Sequence, residues 1–205
     1  MSLIFKDGWY VPAKDQVAFN IIQREVDDLQ HIYQFCKQFR TVVQAGGNVG
    51  IWPKRMAQKF DWVHTFEPDP SNFEALVKNI EDADNIAAYH AALGAKAGTG
   101  SMDHIDPGNI GAHQVQDGND FDIVILDDFV LEDVDLIQLD IEGFEHFALM
   151  GGERTIDANS PVIVLELKGL GERYGHPDTD TFELLAGLGY KEASRIHRDV
   201  IFTRG

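Results

Sequence analysis

The 205-residue chain carries 17 Lys and Arg against 34 Asp and Glu, a formal net charge of -17. Such a surface repels phosphate backbones and anionic lipid, which argues against nucleic-acid and membrane partners. The single cysteine excludes an internal disulfide, and a chain of this length is expected to form one core without such a staple. The N-terminus lacks a signal-peptide pattern and no apolar run reaches about 20 residues, so we expect a cytoplasmic protein.

The first forty residues are predicted to precede the main sheet. Residues 9–12 suggest a short extended or hairpin segment. Apolar side chains recur at close to helical spacing over residues 20–38, which predicts an amphipathic helix. We therefore divide the chain into an N-terminal helical extension that caps the substrate site, 1–39, and a main domain, 40–205.

From residue 40 onward, strand and helix signals alternate. Strands are predicted over 41–43, 62–66, 86–90, 121–126, 136–139, 161–165, 190–196 and 199–203. Helices are predicted after the first strand to about 59, from Pro70 behind an Asp69 cap, and over 143–150, 153–158 and 179–188. This α/β alternation predicts a mostly parallel sheet with helices on both faces, closed by an antiparallel pair. Residues 94–119 are predicted as a loop with one or two short strands.

A glycine-rich turn, Gly46-Gly47-Asn48-Val49-Gly50, follows the first of these strands. Glycines let a backbone approach a ligand closely, and the next helix offers free N–H groups there. The second strand ends in Glu67, which a doubly wound sheet would place beside the turn. A carboxylate in that position can accept hydrogen bonds from both hydroxyls of a ribose. The pattern therefore predicts an adenosine-type ligand, although the glycine spacing is not the G-x-G-x-x-G of dinucleotide sites.

A second group of polar residues follows the buried strand 136–139. Asp140 and Glu142 come directly after it, at the sheet edge where open α/β sheets bind ligands. Glu166 ends the next apolar strand and could line the same rim. A separate set, Asp140, Glu142, Glu145 and His146, could satisfy a hard cation, but no spacing fixes the convergence of these side chains, so we predict no metal.

These motifs, taken in order, resemble the FkbM family of class I S-adenosylmethionine-dependent methyltransferases. The matching segments are residues 42–50 (D-x-G-A-N-x-G), 66–68 (F-E-P), 91–94 (A-L-G), 126–128 (L-D-D/E), 138–145 (K-x-D-x-E-G-x-E), 150–152 (L-x-G) and 161–166 (P-x-hydrophobic-E). Two positions depart from the family pattern, because Gln44 stands where Asp is usual and Gln138 where Lys is frequent. An amide at position 44 can still accept a hydrogen bond from the methionine ammonium but lacks the charge.

The resemblance implies a Rossmann-like fold with a mostly parallel seven-stranded sheet and a C-terminal antiparallel hairpin. It implies S-adenosylmethionine as cofactor and O-methylation of a sugar or other small molecule, including glycans, and it leaves a homo-oligomer open. The residues it assigns to the cofactor are Gln44, Gly46, Gly47, Asn48, Gly50, Glu67, Pro68, Ala92 and Leu93. Asp140, at the end of the neighbouring strand, is assigned to the cofactor with them. An acceptor hydroxyl needs a base, for which Asp140, Glu142 and His146 are the candidates.

Two other functions remain open at this stage. A catalytically weakened nucleoside-binding domain is favoured by the amides at Gln44 and Gln138. An NAD-type oxidoreductase or epimerase would use the same crevice, but the chain has neither the dinucleotide glycine spacing nor a Tyr-x-x-x-Lys run.

Overall fold

The computed structural model describes residues 2–14, 18–103 and 114–205. In chain order its strands are β1 Leu3–Lys6, β2 Trp9–Pro12, β3 Thr41–Ala45, β4 Trp62–Phe66, β5 Ile86–Tyr89, β6 Ala91–Leu93, β7 Gly98–Asp103, β8 Gln114–Asp117, β9 Phe121–Val124, β10 Val134–Leu139, β11 Val162–Glu166, β12 Tyr190–Ile196 and β13 Asp199–Arg204. Its helices are α1 Ala18–Glu25, α2 Leu29–Ile32, α3 Ile51–Met56, α4 Pro70–Asn79, α5 Glu145–Met150, α6 Glu153–Asn159 and α7 Asp178–Gly187. Within the described ranges, no helix has the length and apolar character needed to cross a membrane.

The central sheet has seven strands in the order β12-β13-β11-β10-β3-β4-β5. The five strands from β11 to β5 run parallel, and β13 pairs antiparallel with both β11 and β12. The fold predicted from the sequence, a mostly parallel sheet closed by an antiparallel hairpin, is therefore confirmed. Because strand order reverses between β3 and β10, their carboxyl ends open into the crevice where such sheets bind ligands.

Both faces of the sheet are covered, because alternate strand residues point to opposite sides. Val42 and Leu136 face a cluster that includes Leu29 of α2 and Met56 of α3. Val43 and Leu139 face the opposite cluster, which includes Leu149 of α5, Ile156 of α6 and Leu185 of α7. These strands are buried on both sides, which explains their nearly continuous apolar sequence.

Helix α4 begins where the sequence predicted. The Asp69 carboxylate accepts hydrogen bonds from the backbone N–H groups of Ser71 and Asn72, at 2.8 and 3.0 Å. Pro70 occupies the first helical position, where its missing N–H removes no helical hydrogen bond. This cap fixes the direction in which the chain leaves β4, and with it the position of Glu67.

The single helix predicted over 20–38 is wrong. Helix α1 passes into a 3-10 turn, Val26–Asp28, and α2 ends at Ile32. The next turns are closed by backbone hydrogen bonds between residues three apart in the chain, such as that from Cys36 N to Tyr33 O at 3.2 Å. The Tyr33 and Phe39 rings then pack edge-on against Phe60, with centroids 5.9 and 5.3 Å away. Tertiary packing of aromatic rings therefore overrides the local helical periodicity.

The N-terminal hairpin β1–β2 is fastened to the main domain by one amide. Asn79, the last residue of α4, accepts from Tyr10 N and donates to Tyr10 O, both at 2.8 Å. Its Nδ2 also donates to Val49 O at 2.8 Å. One buried side chain thus joins the hairpin, the end of α4 and the glycine turn.

A small sheet in the order β6-β9-β7-β8 lies beside the central one. Its strands β7 and β8 fall within 94–119, where the sequence predicted a loop with one or two short strands; residues 104–113 lie outside the described part of the chain. The sheet places Met102 and Val115 on the wall of the central cleft.

Candidate functional site

A cleft of about 700 Å³ opens at the carboxyl ends of β3, β4, β10 and β11. Among the cofactor residues named from the sequence, Gln44, Gly46, Gly47, Asn48, Glu67, Pro68, Ala92, Leu93 and Asp140 line it. Gly50 does not; with φ +93° it caps α3, a backbone conformation that glycine adopts without strain. Of the three proposed bases, Asp140 and Glu142 line the cleft and His146 does not.

The glycine turn has no room for side chains. A Cβ on Gly46, which has φ +87°, would stand 2.0 Å from the Asp140 carbonyl oxygen. A Cβ on Gly47 would stand 2.6 Å from the Leu76 side chain and 2.7 Å from Thr65 Oγ1. The bare backbone therefore brings β3, β4 and β10 together at the floor of the cleft.

Glu67 lies beside this turn, as the sequence predicted for an acid at the end of the second strand. It is 5% exposed, and its two carboxylate oxygens accept from Asn48 N at 2.7 Å and Asp69 N at 2.8 Å. Burial and the Asp69 carboxylate raise the pKa of Glu67 to about 8, although the two amide hydrogen bonds oppose the shift. The side chain is thus fixed in position before any ligand binds.

The two amides that depart from the family pattern are register partners. Gln138 pairs with Gln44 across β10 and β3, and Gln44 pairs with Thr65 of β4. Gln44 Oε1 accepts a 2.5 Å hydrogen bond from Thr65 Oγ1. Gln138 is 2% exposed, and its Oε1 has no hydrogen-bond partner in the described part of the chain. An unpaired buried carbonyl oxygen is costly, so a donor from a ligand would stabilise it.

Three carboxylates converge above these amides. One oxygen from each of Asp140, Glu142 and Glu166 lies within 4.8 Å of the other two, close enough to hold a cation. Lys168 already supplies a positive charge, since its Nζ contacts Glu142 at 2.9 Å and Glu166 at 2.5 Å. An ammonium group of the chain itself thus contacts two of these three carboxylates. Of the cation set considered from the sequence, Asp140 and Glu142 belong to this cluster and Glu145 and His146 do not.

The charges of this cluster are coupled. Burial among protein atoms and the Glu166 carboxylate raise the pKa of Asp140, which is hydrogen-bonded to Glu166. The pKa of Glu166 is lowered, because hydrogen bonds from Asp140 and Lys168 outweigh the desolvation of its carboxylate. Burial raises the pKa of Glu142, against the opposing attraction of Lys168.

Glu145 and His146 support the cleft from behind. Glu145 Oε1 accepts from Ile141 N at 2.9 Å and Gly143 N at 3.3 Å, which closes the turn after β10. The His146 ring packs away from the cleft, stacked on His176 at 4.3 Å and 3.3 Å from Thr181 Oγ1 of α7. The structure therefore does not bring His146 to Asp140 and Glu142.

Sequence reasoning missed six charged residues of the described cleft lining, namely Arg24, Glu25, Asp28, Lys168, Arg198 and Asp199. Lys168 stands two residues beyond Glu166, a spacing that puts both side chains on one side of the chain, and this signal could have found it. Asp199 pairs in register with Glu166 across the β11–β13 ladder. Glu25 and Asp28 come from the N-terminal extension, whose docking onto the sheet no local pattern predicts.

Comparison with known proteins bears on both fold and family. A crystal structure of methyltransferase FkbM from Methylobacillus flagellatus KT is similar with a TM-score of 0.57 at 16% identity, covering 90% of this chain and 60% of that one. Trm5b from Pyrococcus abyssi has a TM-score of 0.53 at 14% identity, with 98% and 55% covered. M. jannaschii TYW2, solved in complex with AdoMet, has a TM-score of 0.50 at 12% identity, with 100% and 86% covered.

At these identities the structures show the Rossmann-like methyltransferase fold, and this chain spans less than two thirds of the length of the first two. No curated protein is significantly similar to it in sequence. The model of the methyltransferase FkbM domain matches residues 44–192, from the glycine turn to the start of β12. The chain therefore belongs to the FkbM methyltransferase domain family.

Proposed function

We propose that the protein binds S-adenosylmethionine at the glycine-turn end of the cleft and methylates a hydroxyl of a sugar or other small molecule. The observation that carries this proposal is the bare Gly46–Gly47 backbone lying beside the fixed carboxylate of Glu67. Both glycines and Glu67 line the cleft, where the Glu67 carboxylate provides an acceptor for the ribose hydroxyls of a nucleoside.

The residues present fit this cofactor. Gly46 and Gly47 line the cleft with bare backbone, and protein atoms of Asp140, Leu76 and Thr65 pack where their Cβ atoms would stand, so the turn is held in one conformation beside the ligand. Gln44 offers an amide group to the methionine end, while Ala92 and Leu93 line the side expected for adenine. S-adenosylmethionine, when bound, supplies an electrophilic methyl group.

The chain's own contribution is to orient the acceptor and to take its proton. Holding two reacting groups in line can account for about 7–11 kcal/mol of a barrier, and a cleft walled by α1 and the small sheet restricts the acceptor in this way. Asp140 is the proposed base, because its side chain is open to the cleft and its raised pKa brings it nearer to neutral pH. Glu142, held by Lys168, is the second candidate.

We place the acceptor against the N-terminal extension, residues 1–39. Ile22 of α1 and Asp28 of the 3-10 turn line the cleft, opposite the acids at the ends of β10 and β11. This position supports the division of the chain into a main domain and an extension that covers the acceptor.

Calorimetry with S-adenosylhomocysteine, S-adenosylmethionine and NAD tests the cofactor. We expect the first two to bind and NAD not to bind. Glu67→Gln should weaken binding, whereas Glu183→Gln, an exposed acid on α7 outside the cleft, should not change it. Absence of binding by both sulfur ligands, or equal binding of NAD, would contradict the proposal.

Methyl transfer is followed as S-adenosylhomocysteine released from S-adenosylmethionine in the presence of hydroxyl-bearing sugars. Asp140→Asn should lower turnover by about 10²–10⁴-fold, the usual contribution of a general base, and affect cofactor affinity much less. Turnover should rise with pH as Asp140 loses its proton. Cofactor binding without any methyl release would instead support the weakened nucleoside-binding domain, which the engagement of Gln44 by Thr65 favours.

A further inference from the structure

The two ends of the cleft differ in charge. Among the described residues, six carboxylates line the end of the cleft formed by β10, β11, β13 and the N-terminal extension: Glu25, Asp28, Asp140, Glu142, Glu166 and Asp199. Asp140 stands where this acidic end meets the glycine turn. The cations of the described lining are Lys168, Arg24 and Arg198, with His197 as a further titratable group. Lys168 is already engaged by two carboxylates and His197 Nε2 lies 3.6 Å from Asp28 Oδ2, whereas Arg24 and Arg198, like Glu25 and Asp140, are solvent-exposed.

Register explains why these acids converge. Glu166 and Asp199 are direct partners in the β11–β13 ladder, so their side chains leave the same face of the sheet. Asp140, at the end of the neighbouring strand, is hydrogen-bonded to Glu166. Glu25 and Asp28 approach from the opposite wall, since the C-terminal turn of α1 and the 3-10 turn lie over this face.

A second feature under these acids is the unpaired amide of Gln138. It stands two residues before Asp140, on the same face of β10, and its register partner Val164 stands two residues before Glu166. Gln138 is 98% buried and lines the cleft, and its Oε1 lacks a donor among the residues that the structure describes. The floor of the acidic end therefore has an acceptor that needs an N–H or O–H group from a ligand.

Three of these acids lie outside the part of the chain that the family model matches. Residues 44–192 are matched, whereas Glu25, Asp28 and Asp199 come from the N-terminal extension and the C-terminal hairpin. Half of the six acids thus lie outside the matched residues, in the N-terminal extension and the C-terminal hairpin, where an acceptor preference would be set.

We propose that this acidic end binds a protonated amino group, and that the methyl acceptor is therefore a small amine-bearing hydroxyl compound such as an amino sugar. An ammonium group would neutralise the facing carboxylates and could donate a hydrogen bond to Gln138. The inference rests on the proposed function for the identity of the reaction, but not for the charge of the ligand.

The titration of these acids agrees with such a ligand. Burial, then repulsion by Glu166, Glu25 and Asp28, raises the pKa of Asp199 to about 7, against the opposing charge of Lys168. Burial, then repulsion by Glu166 and Asp28, raises that of Glu25, against His197 and Lys168. Binding of a cation favours the ionised carboxylates, so it should release protons near pH 7.

The test uses the full chain and two matched pairs of probes, D-glucosamine with D-glucose and ethanolamine with ethylene glycol. Calorimetry is performed with and without saturating S-adenosylhomocysteine. We expect at least one amine to bind about tenfold or more tightly than its neutral partner, which corresponds to about 1.4 kcal/mol. Titration in phosphate and in MOPS, which differ in ionisation enthalpy and carry no primary amine, should show proton release from the same binding event.

Variants locate the effect. Glu25→Gln with Asp199→Asn should abolish the preference for the amine and leave S-adenosylhomocysteine affinity unchanged. Asp120→Asn with Glu183→Gln removes the same charge at exposed positions outside the cleft and should keep the preference. The proposal is overturned if no amine binds better than its neutral partner, which includes the case in which neither compound binds. It is also overturned if the cleft variant keeps the preference for the amine.

The cofactor's own ammonium group could occupy the acidic end instead. In that case the cleft variant would lose S-adenosylhomocysteine affinity and no amine preference would appear in the presence of the cofactor, which overturns this inference and leaves the proposed function intact. Failure of S-adenosylhomocysteine to bind, with amine preference retained, would overturn the proposed function alone.

Discussion

Different interactions position the residues at the two ends of the cleft. At the glycine turn, backbone N–H groups fix the Glu67 carboxylate, and close contacts of the Gly46 and Gly47 backbone with neighbouring residues leave no space for a side chain. At the acidic end, Glu142, Glu166 and Asp199 are placed side by side with Lys168 as the buried counterion. The first end is determined by shape and the second by charge.

This difference teaches where the chain tolerates change. Steric constraints at the turn come from residues within the matched family domain, so a substitution there acts on the fold itself. The acids of the other end repel one another. Removing one of them therefore relieves electrostatic repulsion at the same time as it removes a ligand contact. Substitutions at the two ends should therefore differ in sign as well as size.

The largest effect is expected at the glycine turn. Gly46→Ala places a Cβ 2.0 Å from the Asp140 carbonyl oxygen at φ +87°, and should lower the free energy of unfolding by about 3–5 kcal/mol or prevent folding. Gly187→Ala is the control, because a Cβ there meets nothing within 4 Å and the residue ends helix α7. Urea denaturation measures both. Equal stability of the two variants would show that steric contacts at Gly46 do not determine the structure of the glycine turn.

Lys168→Met should have the next largest effect, a loss of about 2–4 kcal/mol of unfolding free energy near neutral pH. Lys168 lowers the pKa of Glu166, so its contribution is present above the unfolded carboxylate pKa and disappears as pH falls through the lowered value. Urea denaturation between pH 3 and 8 should show the loss shrink on acidification. The exposed Lys96→Met serves as control, and adding Glu166→Gln should restore part of the stability. A pH-independent loss would contradict the electrostatic account.

Cofactor affinity should depend on pH through Glu67. In the free protein this carboxyl holds its proton below about pH 8, and ribose hydroxyls favour the ionised form. S-adenosylhomocysteine affinity should therefore rise between pH 6 and 8, by up to about tenfold per pH unit. Calorimetry measures it, with Glu67→Gln expected to bind more weakly and with no such slope. A flat profile for the natural protein would exclude Glu67 as an ionised ribose acceptor.

The smallest effect, and the one of opposite sign, is expected for Asp199→Asn. The folded-state pKa of Asp199 is raised to about 7, so the stability that this group contributes is present below its unfolded pKa and lost as pH rises through 7. The variant should match the natural protein near pH 4 and exceed its unfolding free energy at pH 8 by about 1 kcal/mol. Thermal and urea denaturation at both pH values test this, and destabilisation at pH 8 would contradict the charge-determined end.

The sequence predicted the parts of the molecule that depend on neighbouring residues. The start of α4 at Asp69 and Pro70, the β-branched strand ahead of the glycine turn and the closing hairpin are all local signals, and the family and fold they indicated are confirmed. The position of Glu67 follows from the same logic, because one parallel ladder places the ends of β3 and β4 together.

What the sequence did not predict depends on distant contacts. The early end of α2 at Ile32 results from rings of Tyr33 and Phe39 meeting Phe60, which no periodicity in 20–38 shows. The role of Lys168 as counterion and the approach of Glu25 to Asp199 arise from tertiary placement of separate elements. The acidic end is harder to predict from the sequence than the glycine turn, because its residues are scattered along the chain.

The amide of Asn79 has a consequence for how the protein is made. Tyr10 and Asn79 are separated by 69 positions, so the N-terminal hairpin leaves the ribosome well before its anchor is synthesised. A two-stranded hairpin is marginally stable in isolation, so β1 and β2 gain their lasting structure only when α4 has formed. The hairpin is thus synthesised before α4 but acquires its lasting structure only after that helix has formed.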